Sequence, residues 1–285
     1  MAKAKEARKK LSQGRPPYGQ RSTRSLSAKS TRTLIRSHHQ LHKALSQATR
    51  DGDRSLISAL ERQVEEQGGL KAYQEASLQG QARDRGGDTS KVLLEWLDPR
   101  LGSHHGPLRL LEVGALSTTN ECSRSPRFTV TCIDLHSQAE GILQQDFMTR
   151  PIPASSAQKF EVVSLSLVVN YVPDAAQRGE MLRRTSAFLA APDDLSSVQT
   201  ESPVFPCVFL VLPEPCLHNS RYMDEATLSS IMQSFGYSLT ERKCSAKLIY
   251  FLWSWKGLEH TRPQQYPKRV VNPGKVRNNF SIVLP

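Results

Sequence analysis

The run Leu110-Leu111-Glu112-Val113-Gly114 puts an acid and a glycine at the end of a short apolar stretch. In a doubly wound sheet, ligands bind beyond the carboxyl ends of the strands, and a glycine there lets backbone approach a ligand closely. Twenty positions after Gly114 stands Asp134, which closes a second apolar stretch, Thr129-Val130-Thr131-Cys132-Ile133. A carboxylate in that place can accept both hydroxyls of an adenosine ribose. Gln145-Asp146-Phe147 supplies a third element, in which Asp146 would accept the exocyclic amine of an adenine while Phe147 packs nearby. Gly114 is followed by Ala115-Leu116-Ser117, without the further glycines of a dinucleotide fingerprint. That argues against a pyrophosphate-bearing cofactor. S-adenosyl-L-methionine has no phosphate to cradle, so a single close-approach glycine suffices for it. Taken singly, Gly114 reads equally as a strand-end turn and Asp134 as a helix cap. Their order with Asp146 on consecutive elements favours the cofactor.

Chemistry would sit in Ser164-Leu165-Ser166-Leu167-Val168-Val169-Asn170-Tyr171-Val172-Pro173. A polar residue, an aromatic and a proline at a strand's carboxyl end resemble the Asn/Asp-Pro-Pro-Phe/Tyr loop of amino-group methyltransferases. Methyl transfer is an in-line displacement, so positioning can supply most of the catalysis. Asn170 would receive an adenine amine and Tyr171 would stack on the extruded ring. The plainer alternative makes Asn170 a helix cap and Tyr171 a core residue. Further on, Asn219, Arg221 and Tyr222 could bind a phosphate or a base, or simply form a loop before a helix. His38-His39 and His104-His105 lack Cys or carboxylate partners at ligand spacing, so no metal is expected.

These residues need a scaffold, and the pattern supplies one. Leu108–Val113, Phe128–Ile133, Phe160–Leu165 and Phe205–Leu212 are short, apolar and β-branched, as buried parallel strands are. Helical stretches at 175–189 and 224–235 alternate with them, which implies helices on both faces of a parallel sheet. Ser238–Cys244 and Leu248–Trp255 lie so close that they must form an antiparallel hairpin, with Phe251, Trp253 and Trp255 alternating as on an edge strand. The expected fold is α/β, a Rossmann-like class I methyltransferase sheet with an antiparallel edge hairpin over residues 101–256. Ahead of it, Leu34, Leu41, Leu45, Leu56, Leu60 and Val64 mark a helical region at 34–100. It is broken at Asp51-Gly52-Asp53 and Gly68-Gly69, capped again at Asp88 or Thr89, and ended by Pro99. Residues 191–202 read as a surface insertion.

Charge is unevenly spread. Residues 1–50 hold thirteen Lys and Arg against Glu6, and residues 256–285 hold six against Glu259, although the whole chain is only +11. A mildly acidic body thus lies between basic ends, the footprint of a polyanion partner or of a nuclear address. Residues 1–33 have almost nothing to bury and are expected to be a disordered basic arm, and 257–285 a basic tail. No run approaches the roughly 18 apolar residues of a membrane span, so no membrane is expected. Five scattered cysteines with no CxxC pair suit reduced thiols inside a cell.

From Gly68 to Trp255 the chain resembles the fungal nucleolar 25S ribosomal RNA adenine-N(1) methyltransferases. The resemblance rests on Gly68-Gly-Leu-Lys-Ala-Tyr-Gln-Glu-Ala-Ser77, Arg85-Gly-Gly-Asp-Thr-Ser-Lys91, Leu111-Glu-Val-Gly114, Gln145-Asp-Phe-Met148, the Ser164–Pro173 run and Asn219-Ser-Arg-Tyr222. It implies S-adenosyl-L-methionine at Gly114 and Asp134, large-subunit ribosomal RNA as substrate, pre-ribosomal particles as partners and the nucleolus as the place of action. A relative, the animal S-adenosylmethionine sensor of the TOR pathway, suggests the alternative of a non-catalytic sensor acting through a protein partner. The basic arm suits RNA and has no evident role in a sensor.

Overall fold

The structure, a computed structural model, describes residues 27–80, 87–101, 106–137, 139–192, 204–262 and 264–285. The apolar stretches form strands β1 (Leu108–Val113), β2 (Phe128–Asp134), β3 (Ile142–Gln144), β4 (Val162–Ser166) and β5 (Cys207–Pro213), all paired in parallel. The hairpin is β6 (Tyr237–Cys244) and β7 (Leu248–Trp255). The sheet order is β3-β2-β1-β4-β5-β7-β6. Connections run outward one way through β1, β2 and β3 and the other way through β4 and β5. The crevice between β1 and β4 is therefore the topological switch point, where such sheets take their ligands.

Burial on both faces explains why the strands read as continuous apolar runs. In β5, Val208, Leu210 and Leu212 face one core with Leu182 and Phe188 of α6 (Ala175–Phe188) and Leu228 and Ile231 of α8 (Glu225–Ser234). Phe209 and Val211 face the other, with Leu93 and Leu97 of α4 (Ser90–Leu101). Two short helices, α5 (Glu121–Arg124) and α7 (Pro215–His218), and the three-residue β3 were too short to give a periodic signal.

Four expectations need correction. The strand carrying Phe251, Trp253 and Trp255 is not an edge: β7 pairs with β5 on one side and β6 on the other, and all three aromatics are buried. Pro99 does not end α4, which continues to a buried Leu101. The first helix, α1 (Ala28–Asp51), begins six residues before the expected boundary at Leu34. There Ser27 accepts the Ser30 N–H and so caps an end that carries no apolar period. The rest of the basic arm, residues 1–26, lies outside the described residues, as do Arg85-Gly86, His104-His105 and most of the 191–202 insertion.

The fourth correction concerns 257–285, which is no free tail. Phe280, Ile282 and Leu284 are buried, and Val283 N–H donates to the Ala175 carbonyl at the start of α6. A Cβ on Gly179 would stand 2.2 Å from the Val283 carbonyl, so α6 offers bare backbone to this segment. The alternation Phe280, Ile282, Leu284 was the available sequence signal.

Ahead of the sheet, α1 packs with α2 (Arg54–Glu66) and α3 (Gly69–Gly80). Gly52 closes α1 in the left-handed region at φ 72°, and Asp53 caps α2. Among the described residues no helix is long and apolar enough to cross a membrane.

Candidate functional site

Gly114 follows β1 with φ +75°, a conformation L side chains rarely adopt, and a Cβ there would lie 2.5 Å from Val168 Cγ2. The glycine thus lets the β1 turn close onto the loop after β4, which is a different reason for it than contact with a ligand. That loop opens at Leu167, whose φ of 59° is the lone positive value among the described non-glycine residues. Strained backbone of this kind persists where the surroundings over-determine it, commonly at functional loops. Leu167 N–H donates to the Val211 carbonyl, and Tyr171 N–H closes a turn on the Val168 carbonyl. Within that turn, Asn170 Oδ1 is buried and has no hydrogen-bond partner. An acceptor left so costs roughly 1–3 kcal/mol.

The loop is stapled from three sides. Thr89 and Ser166 hydroxyls bond at 2.8 Å. Asp88 Oδ1 accepts from Ser90, and its Oδ2 accepts the Glu121 N–H at 2.6 Å, tying the start of α4 to the start of α5, where the loop after Gly114 ends. The buried Arg178 of α6 donates to the Val172, Pro173 and Ser281 carbonyls and lies over the Phe280 ring at 4.7 Å. Beneath, Asn120 donates to both oxygens of Glu112 at 2.8 Å. Burial nevertheless pushes the Glu112 carboxyl up to about 7, against that hydrogen bonding.

Asp134 ends β2, as expected. Its Oδ1 accepts the His136 N–H at 2.8 Å and Gln74 Nε2 at 3.4 Å. Gln74 belongs to α3, so the N-terminal helices reach over the carboxyl edge of the sheet. Burial raises the Asp134 pKa above its ordinary value, with the His136 and Gln74 contacts opposing. A second contact of the same kind lies beside it. His38 Nε2 of α1 meets the Tyr171 hydroxyl at 3.0 Å, and the Tyr73 and Tyr171 rings lie 4.9 Å apart. His38 stacks on Tyr73 at 4.6 Å. Helices α1 and α3 are in this sense a roof over Asp134 and Tyr171.

The structure therefore brings Gly114, Asp134, Asn170 and Tyr171 to one edge, but it changes some of their expected tasks. Tyr171 is not an open stacking platform: its ring already packs against Tyr73 and its hydroxyl is engaged, so it holds the loop to the roof. The Phe147 side chain does not lie open for an adenine either. It is only 2% exposed and packs on Phe188 at 5.1 Å in the core. Asp146 Oδ1 accepts the Met148 N–H at 2.8 Å and shapes the turn after β3. Asn219, Arg221 and Tyr222 anchor the C-terminal segment. Asn219 accepts the Asn278 N–H through its carbonyl, Arg221 donates to Asn279 Oδ1 and the Gly274 carbonyl, and Lys268 lies 4.2 Å over the Tyr222 ring.

Sequence reasoning missed Gln74, His38, Tyr73 and Arg178 as neighbours of the site. Tyr73 and Gln74 stood inside the Gly68–Ser77 motif, yet no spacing rule connects that motif with Asp134 or Tyr171.

A family model described as "25S rRNA (adenine(2142)-N(1))-methyltransferase, Bmt2" matches residues 58–282. The chain belongs to this family. The match includes the α3 roof and the C-terminal segment through Ile282, so the family unit is larger than the sheet alone. The 25S rRNA adenine-N(1) methyltransferase of Schizosaccharomyces pombe is 38% identical over 255 residues, covering 87% of this chain and 89% of that protein. The Saccharomyces cerevisiae 25S rRNA (adenine(2142)-N(1))-methyltransferase is 35% identical over 254 residues, covering 86% and 71%. The resemblance noted from the motifs is thus borne out. Among solved structures, the N-methyltransferase NodS of Bradyrhizobium japonicum with S-adenosyl-l-homocysteine aligns at a TM-score of 0.38 and 14% identity, over 57% of this chain and 83% of that one.

Proposed function

We propose that this chain transfers a methyl group from S-adenosyl-L-methionine to N1 of an adenine in large-subunit (25S) ribosomal RNA; the names of its Bmt2-family relatives give the adenine-N(1) methylation of 25S rRNA for them. The observation that carries the assignment of the site is the buried, unpartnered Asn170 Oδ1 at the switch-point crevice, next to the Gly114–Val168 contact. The residues present fit an adenosine-bearing sulfonium donor. Asp134 offers a carboxylate for the ribose at the end of β2, and a second buried acceptor without a partner, Gln74 Oε1, lies beside it. When bound, the cofactor supplies an electrophilic methyl group.

The chain's own groups then have two tasks. Asn170 Oδ1 accepts an N6–H of the target adenine, which fixes the pairing edge and leaves the N1 lone pair to face the methyl carbon. N1 is unprotonated at neutral pH, so no strong general base is required. Positioning dominates, since a displacement of about 1 Å can cost on the order of a hundredfold in rate. Tyr171, held by His38 and Tyr73, keeps the loop carrying Asn170 in place and is a positioning residue. The adenine must be unpaired or flipped to expose N1.

The basic N-terminal residues suit contact with ribosomal RNA or a pre-ribosomal particle, and an address in the nucleus, at the nucleolus. Mapping reverse-transcription stops on large-subunit rRNA, with and without the gene, tests the reading, because N1-methyladenine blocks pairing. One adenine stop that vanishes with the gene is expected. An unchanged stop pattern would overturn the assignment.

A further inference from the structure

The geometry points to Gln74 of the helical roof as a cofactor-binding residue that accepts one ribose hydroxyl while Asp134 accepts the other. This deepens the methyltransferase reading above and rests on it. Gln74 is 3% exposed, and its Nε2 faces two atoms that can only accept, Asp134 Oδ1 at 3.4 Å and the His136 carbonyl at 2.9 Å. The amide is therefore oriented without ambiguity, with the NH2 toward the end of β2. Its Oε1, on the opposite side of the amide, is buried and has no hydrogen-bond partner.

A ribose diol brings two O–H donors to the end of β2. Asp134 Oδ1 already receives the His136 N–H and the Gln74 NH2, which leaves Oδ2 as the carboxylate oxygen turned to the diol; its two lone pairs could take both hydroxyls, but a separate acceptor for each gives straighter hydrogen bonds. Gln74 Oε1 is such an acceptor, on the same amide whose NH2 is bound to Asp134 and the His136 carbonyl. A second hydroxyl would give that buried oxygen the donor it lacks, and the Nε2 contacts have already fixed the side chain that carries it. The roof then contributes to affinity directly and is more than a cover. The placement of α3 over β2 has a functional reason of the same kind as the placement of Asp134 at the strand's end.

The test uses the full chain and three probes, S-adenosylhomocysteine and its 2′-deoxy and 3′-deoxy forms, titrated by calorimetry with a melting curve for each variant. The wild-type chain should lose about tenfold in affinity on removal of either hydroxyl, the equivalent of one buried hydrogen bond. Gln74→Met should lose about tenfold on S-adenosylhomocysteine, stop discriminating against one deoxy form and still discriminate against the other. Asp134→Asn keeps Gln74 and should show the complementary pattern, which keeps the idea testable even if Gln74→Met melts early. Wild-type affinity in Gln74→Met would overturn the inference. So would an equal loss on all three probes, which would assign Gln74 to holding the roof alone. A wild-type chain that binds none of the probes would overturn the methyltransferase reading along with it.

Discussion

Substituting Gly114 by alanine tests the claim that the site is closed by contact between the β1 turn and the β4 loop. Two costs add. A non-glycine residue in the left-handed region loses about 1–2 kcal/mol, and Gly114 sits at φ +75°. The new Cβ would also lie 2.5 Å from Val168 Cγ2, well inside the 3.4 Å at which ordinary contact begins. Valine is stiff at χ1, so it cannot simply swing aside, and overpacking of this sort costs about 1–3 kcal/mol. Gly114→Ala should therefore destabilise the fold by about 3 kcal/mol, or roughly 6–12 °C in a melt of a domain this size. It should also weaken S-adenosylhomocysteine, because the turn and the loop can no longer meet. Val168→Ala in the same chain removes the clash but leaves the φ strain. The double variant should recover about 1–2 kcal/mol relative to the sum of the single ones, and part of the affinity. Urea unfolding of all four proteins with calorimetric titration measures both. Stabilities that add within about 0.5 kcal/mol would refute the reasoning.

Asn170→Ala should lose most methyl transfer to ribosomal RNA while keeping S-adenosylhomocysteine affinity; labelled-methyl transfer beside calorimetry separates the two, and full turnover would remove Asn170 from the adenine site. Tyr171→Phe keeps the ring against Tyr73 but loses the 3.0 Å hydrogen bond with His38, so denaturant unfolding should show a loss of about 1 kcal/mol. Burial raises the Glu112 carboxyl from 4.5 to about 7. Its contribution to stability is therefore full below the lower value, falls as pH rises between the two and is flat above, by up to ~3 kcal/mol; Glu112→Gln should abolish that slope in melts run from pH 4 to 8. Deleting residues 1–26, which carry eight Lys and Arg, should flatten the salt dependence of RNA binding by roughly 0.7 for each phosphate the arm neutralises, with cofactor affinity unchanged in filter-binding and calorimetric assays.

The amino-acid sequence by itself determined four of the five parallel strands, the hairpin and the residues that close β1 and β2. Buried parallel strands must be apolar over their whole length, so Leu108–Val113 and Phe128–Ile133 announced themselves, and the residues that close them, Gly114 and Asp134, came with them. Local capping was legible because its partners are neighbours in the chain: Asp88, expected to cap the helix before Trp96, accepts the Ser90 N–H. Tertiary structure alone decided which polar groups share a site. His38 meets Tyr171 across 133 residues and Gln74 meets Asp134 across 60, separations at which no periodicity carries information. It also decided between the two fates of an aromatic. Phe147 looked like an adenine contact and lies in the core, and Tyr171 looked like an open platform and is packed beneath the roof. Residue type fixes what a side chain can do, whereas its neighbours across the fold determine whether it is free to do it.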